Sequence, residues 1–173
     1  MNIQRTAILA MLALAVLVSP LVRAEGQPLD AAALDVIRTN CVNTQVNLQR
    51  LQQSEKPTRI NRGYLYDTLL KLMANFNSRV AQNKIDSPEL LSITSEYERQ
   101  LKSFTATYTK YDESLSTLTS MDCRANPARF NDTLAQTRQL RSSLAQTIDA
   151  LDTLLSRYQT NVDAVRKVVE AGV

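Results

Sequence analysis

Apolar residues recur along the second half of the chain at alternating spacings of four and three. From Leu90 this rule meets Leu90, Thr94, Tyr97, Leu101, Phe104, Tyr108, Tyr111, Leu115 and Leu118, and eight of the nine are apolar or aromatic. From Phe130 it meets Phe130, Leu134, Thr137, Arg141, Leu144, Ile148, Leu151, Leu155, Tyr158, Val162, Val165 and Val169, ten of twelve apolar. The positions between are mostly Gln, Ser, Thr, Asp, Arg and Lys. That period is the signature of an α-helix with one face against a partner; a half-buried strand alternates every second residue. Each run therefore predicts one long helix with a heptad seam.

The first half is patterned less strongly. Leu34, Ile37, Cys41, Thr44, Leu48 and Leu51 form one seam. Tyr66, Leu69, Met73, Phe76 and Val80 form a second, widened by Leu65 and Leu72. Prolines supply the punctuation. Ser87-Pro88-Glu89 offers an N-cap hydroxyl, a proline at the first helical position and an acid in the first turn, and Asn126-Pro127 repeats the device. Lys56-Pro57-Thr58 reads as a break between two helices. The expectation is an all-α protein with helices near 30–54, 59–83, 88–121 and 127–170. Short turns would pack them as an elongated antiparallel bundle of three to four long helices in a single domain, residues 25–173.

Composition supports helices. There are only three glycines and no tryptophan, too few turn residues for a sandwich or barrel. The amino end has its own layout: a short polar start with Arg5, an unbroken apolar run from Ala7 to Val18, then Pro20 and the small-residue end Val22-Arg23-Ala24. This predicts a secretory signal peptide over residues 1–24, cleaved after Ala24. Twelve apolar residues fall short of the roughly 20 that span a bilayer. The alternative is an uncleaved anchor extended through Leu21 and Val22, which would be the chain's sole contact with a membrane. Removal of the signal changes the charge. The precursor has 20 Lys+Arg and 17 Asp+Glu; Arg5 and Arg23 leave with the signal, so 18 minus 17 gives +1. Net charge then lends no support to a nucleic-acid partner.

The two cysteines, Cys41 and Cys123, form an even pair in an exported chain, which favours a disulfide over two buried thiols. Cys41 sits on a seam and Cys123 in the last turn, so a bridge would staple the first helix to the far end of the hairpin. Histidine is absent, so there is no ordinary serine or cysteine triad and no histidine metal ligand. Glycine-rich phosphate loops are absent too. The expectation is no catalytic residue, no metal and no cofactor.

Three features remain as candidates. Tyr97, Phe104, Tyr108 and Tyr111, with Tyr64 and Tyr66, could line a ligand cavity or pack as core. Lys56, Arg59 and Arg62, with Arg124 and Arg129 around Cys123, would gather five cations at one end if the disulfide joins those turns. Such a cluster could contact an anion or an acidic partner, or only cap helix ends. Arg141 interrupts a seam, as residues that set register or pair with a neighbouring acid do.

The run Arg59-Ile60-Asn61-Arg62-Gly63-Tyr64-Leu65-Tyr66, the pair Tyr108-x-x-Tyr111 and the turn Cys123-x-x-x-Pro127-x-x-Phe130 resemble uncharacterised exported helical proteins of candidate-phyla bacteria such as Saccharibacteria. The resemblance implies a signal peptide, a coiled-coil-like bundle and paired cysteines, and it implies no activity. The helical periplasmic chaperone Skp is a poorer match, because its family carries a β-rich trimerisation body and no strand pattern occurs here. The resulting expectation is a secreted or periplasmic, non-enzymatic scaffold of the cell envelope that binds another envelope protein or itself. The alternative is a periplasmic ligand-binding or chaperone-like bundle. Amino-terminal sequencing of the protein recovered after export should begin at Glu25; a chain that still carries Met1 in the membrane fraction would establish the anchor instead.

Overall fold

A computed structural model describes residues 29–172. The signal segment and its cleavage site at Ala24 lie outside the described residues, as does Val173. Three helices make up the fold: α1 from Ala31 to Gln82, α2 from Pro88 to Ser120 and α3 from Pro127 to Glu170. They run antiparallel in chain order. At 1.5 Å per residue α1, with 52 residues, is about 78 Å long. α2 packs along both neighbours, whereas α1 and α3 meet more sparsely.

The expected break at Pro57 does not occur. The helices anticipated near 30–54 and 59–83 are one helix, with Pro57 in its interior. An interior proline removes one hydrogen bond and costs about 3 kcal/mol. Two circumstances let α1 tolerate it. Pro57 and Gln53, whose carbonyl loses its partner, are both exposed, so water can satisfy the freed oxygen. The turns on either side are also fastened to the same hairpin. Gln52 donates to Ser116 Oγ at 3.0 Å, Lys56 meets Asp112 at 3.5 Å, and Tyr66 further on is buried against Phe104 at 5.5 Å between ring centroids. A break would forfeit both attachments.

The helix ends follow local chemistry. Asp30 caps α1, its carboxylate accepting from the Ala33 amide at 2.7 Å. α2 and α3 begin at Pro88 and Pro127 as expected, but neither Ser87 nor Asn126 makes a side-chain cap bond. The α2–α3 turn is instead held by Asp122, which accepts from the amides of Arg124 and Ala125 at 3.1 and 3.0 Å. The α1–α2 turn closes with the Ile85 amide donating to the Val80 carbonyl and the Lys84 amide to that of Ala81. This six-to-one and five-to-two pairing puts Lys84 in the left-handed region, φ 58°.

The main core runs along the seam. It joins Tyr66, Met73 and Val80 of α1 to Leu90, Ile93, Tyr97, Phe104, Tyr111 and Leu115 of α2 and to Leu144, Leu151, Leu154, Tyr158 and Val165 of α3. A second, smaller cluster surrounds Cys41, Cys123, Leu118 and Phe130. Cys41 and Cys123 form the expected disulfide, with Cα atoms 5.9 Å apart. Beside it the Gln45 amide donates to the carbonyls of Leu118 and Met121 at 2.7 and 2.8 Å. These bonds satisfy oxygens at the end of α2 that no later turn can reach.

Glycine occupies one helix interior, at Gly63, and fills the left-handed position at Gly172 but not the one at Lys84. A Cβ at Gly63 would stand 3.6 Å from the Phe104 ring, an ordinary contact. Gly63→Ala and Lys84→Gly should therefore each stabilise the fold by about 1 kcal/mol. Thermal unfolding followed by circular dichroism checks this, with an expected rise of about 2–4 °C for each. A lower Tm for Gly63→Ala would show that α1 needs the bare backbone against Phe104.

Candidate functional site

The sparse α1–α3 contact leaves a trough along one side of the bundle, reaching α2 only in its first part. Three depressions lie along it. The first, about 350 Å³, is lined by Thr44, Asn47, Leu48 and Leu51 of α1, Tyr111 and Leu115 of α2, and Leu134, Thr137, Arg138 and Arg141 of α3. The second, about 460 Å³, lies between Leu69, Leu72 and Met73 of α1 and Leu155, Tyr158, Gln159, Val162 and Asp163 of α3. The third, about 350 Å³, continues past Phe76, Arg79, Val80 and Asn83 to Ile85, Val165 and Val169. The second and third share successive turns of both helices and form one apolar stretch. Its lips are exposed: Leu65, Leu72 and Val169 keep 55, 58 and 56 % of their surface.

The α1 lip has an unusual composition. Its bordering heptad columns are Thr44, Leu51, Thr58, Leu65 and Leu72, and Asn47, Ser54, Asn61, Thr68 and Asn75. Neither column carries a charge over its length. Glu55, Arg59 and Arg62 flank Ser54 and Thr58 in the middle of this edge, so its least charged part lies beyond Arg62, and depletion of charge is what marks the centres of protein interfaces.

One polar node crosses the trough. Glu55 of α1 accepts from Tyr111 Oη of α2 at 2.9 Å, from Arg141 of α3 at 2.8 Å and from Arg59 of its own helix at 3.0 Å. The Arg59 guanidinium also lies 5.3 Å from the centre of the Tyr111 ring. Burial pushes the Glu55 carboxyl up, but the Tyr111 and Arg59 hydrogen bonds and the charges of Arg59 and Arg141 more than offset it, so its pKa ends below the usual value. The Tyr111 hydroxyl is raised to about 12, by burial first and then by its bond to Glu55. Arg141, the cation that interrupts the α3 seam, is thus the partner of an acid on a neighbouring helix.

A second node lies deeper. Tyr158 Oη donates toward Asn77 Oδ1 at 2.8 Å, with the Met73 carbonyl 3.1 Å away, and Asn77 Nδ2 donates to Thr94 Oγ1 at 2.8 Å. It too joins all three helices, and burial raises Tyr158 to about 12.

The five basic residues do not gather. Lys56, Arg59 and Arg62 lie mid-way along α1, while Arg124 and Arg129 lie at the α2–α3 turn. Cys41, beside that turn, is fifteen positions before Lys56, about 22 Å along an unbroken helix. The expected clustering assumed that the disulfide would join those turns; the bridge forms, but it holds the α2–α3 turn against Cys41, far along α1 from Lys56, Arg59 and Arg62. Lys56 and Arg59 are engaged with Asp112 and Glu55.

The tyrosines divide. Tyr97 is fully buried, edge-on to Tyr66 at 6.4 Å. Its hydroxyl and that of Tyr108 are buried with no hydrogen-bond partner among the described residues. Tyr64 is exposed and Tyr111 forms the base of the first depression. Among the described residues no cluster of three or more His, Cys, Asp or Glu could hold a metal, and no helix is long and apolar enough to cross a membrane.

No family model, curated protein or solved structure matches the chain. Its chemistry is therefore read from its own geometry, and the Glu55 node gives a pH signature. The carboxyl's pKa is lower in the folded chain than in the unfolded one. Its contribution to stability is then fully present above about pH 4.3, the unfolded value, and is lost as the pH falls through the folded value. Glu55→Gln should cost about 1–2 kcal/mol at pH 7. In urea unfolding the gap between the two proteins should narrow below about pH 4. An equal gap at pH 7 and pH 3.5 would mean that the ionised carboxylate is not its source.

Proposed function

We propose that this protein is an exported, non-enzymatic helical scaffold of the cell envelope, and that the apolar stretch of its α1–α3 trough receives another protein. The observation that carries this reading is the exposed lip of Leu65, Leu72 and Val169 above a floor of Leu69, Leu155 and Val162. Contiguous apolar surface on a rigid element, with Arg79 and Asp163 as the charged residues along it, is what a docking partner can bury at modest desolvation cost. The disulfide accords with a secreted or periplasmic location, since such bridges persist in oxidising compartments.

A helix-in-groove partner or a second copy of the chain would satisfy the same face. A photo-crosslinking residue placed at Leu72 should yield one discrete adduct in the native envelope, either with another envelope protein or with the chain itself. Leu65→Glu with Val169→Glu should abolish that adduct while changing stability by no more than about 0.5 kcal/mol for each surface site. Adducts no stronger at position 72 than at Lys110, on the exposed face of α2, would remove the docking reading.

A further inference from the structure

The first depression differs from the rest of the trough because it is closed at both ends. Thr44 lies one turn beyond Cys41, and Leu134 one turn beyond Phe130, so the disulfide cluster forms one end wall. The bond from Arg141 to Glu55, one turn past Leu51, bridges the trough at the other. The slot between these walls spans Thr44 to Leu51, two turns or about 10 Å. That is too short to seat a helix along its length. Its volume, about 350 Å³, falls in the range of small-molecule sites, roughly 300–1,000 Å³.

Its chemistry is amphiphilic. Leu48, Leu51, Leu115 and Leu134 supply apolar walls and floor, and the charges that line it are Arg138 and Arg141. No carboxylate lines the slot. Arg141 is held by Glu55, which fixes its place at the end wall. Arg138 has no ion-pair partner among the described residues. A guanidinium without a counter-charge beside an apolar slot is complementary to a carboxylate that carries a hydrocarbon tail.

We infer that this slot binds a single-chain anionic amphiphile of medium length, with its carboxylate on Arg138 and its acyl chain along Leu48, Leu51, Leu115 and Leu134. The site is independent of the apolar stretch beyond Glu55, so either can fail without the other. It also gives Arg141 a second use: the residue that ties α1 to α3 closes the slot and adds positive potential to it.

Titration calorimetry of the oxidised protein with sodium decanoate, below its micelle concentration, tests the inference. One equivalent should bind. Arg138→Gln, a substitution on the rim, should weaken binding at least tenfold with an unchanged Tm, and Asn47→Trp, which fills the slot, should abolish it. Hexanoate should bind at least tenfold more weakly than decanoate, and decyltrimethylammonium should gain nothing from Arg138. Equal affinity for the anionic and cationic decyl compounds would overturn the inference, as would decanoate binding that Asn47→Trp leaves intact. Binding to phosphatidylglycerol vesicles with none to free decanoate would assign the arginines to a membrane surface and would overturn it as well.

Discussion

A single carboxylate joins the three helices at the point where the longest of them is weakest. Glu55 lies two residues before Pro57 and bonds to Tyr111 of α2, Arg141 of α3 and Arg59 one turn ahead on α1. The last of these spans the proline. A helix that loses a hydrogen bond at Pro57 gains there a charge-assisted pair across the same turn, plus two anchors on the hairpin. Glu55 and Arg59 are largely covered yet fully partnered, which is the condition under which such charges are tolerated, while Arg141 reaches in from the exposed surface. Without it, the amino-terminal half of α1 would lean on the hairpin through Leu48, Leu51 and the disulfide cluster.

That half needs the covalent tie for the same reason. Cys41 is the one buried residue of α1 before Tyr66, whereas Tyr66, Met73, Asn77 and Val80 are all buried after it. The disulfide closes a loop of 82 positions. In chain-entropy models a loop of that size is worth roughly 4–5 kcal/mol. Core burial holds the carboxyl-terminal half of α1; crosslinks hold the other. The Asn77–Tyr158–Thr94 node adds register to the half that already has a core, because a one-turn slip would break the bond between the buried Asn77 and Tyr158 side chains.

Much of this was legible in the residues. The seams from Leu90 and from Phe130 place α2 and α3 to within a residue or two, since a periodic apolar face is the direct imprint of helix packing. Pro57 misled because local chemistry spoke against tertiary attachment. A signal for continuity was nonetheless present: Leu48 and Tyr66 are 18 residues apart, five whole turns at 3.6 residues each, so both seams lie on one face of one helix. Glu55 falls four residues beyond Leu51 on that seam, but a lone acid on a weak seam does not reveal its partners until α2 and α3 are in place. Ile93 and Leu154 are buried beside seam positions rather than on them, because each helix faces two neighbours and not one. The basic cluster failed for a simpler reason: the disulfide fixes the α2–α3 turn at Cys41, about four turns of α1 before the first of its cations.

The open trough follows from the same geometry. α2 sits between its neighbours and uses its apolar surface on both, so α1 and α3 are left with partly unspent faces toward each other. A three-helix arrangement can close such a gap by tilting α1 onto α3. Here the Gln45 bonds, the disulfide and the Asn77 node fix α1 to the hairpin near both ends. Between them Glu55–Arg141 and the Tyr66–Asp152 hydrogen bond reach across the trough without bringing backbones together. These contacts separate a short slot rimmed by arginines from a longer, mostly apolar stretch whose exposed lips are leucine and valine. The two present different chemistry on either side of a structural ion pair, and both are set on helices already fixed in place, so little conformational entropy would oppose whatever filled them.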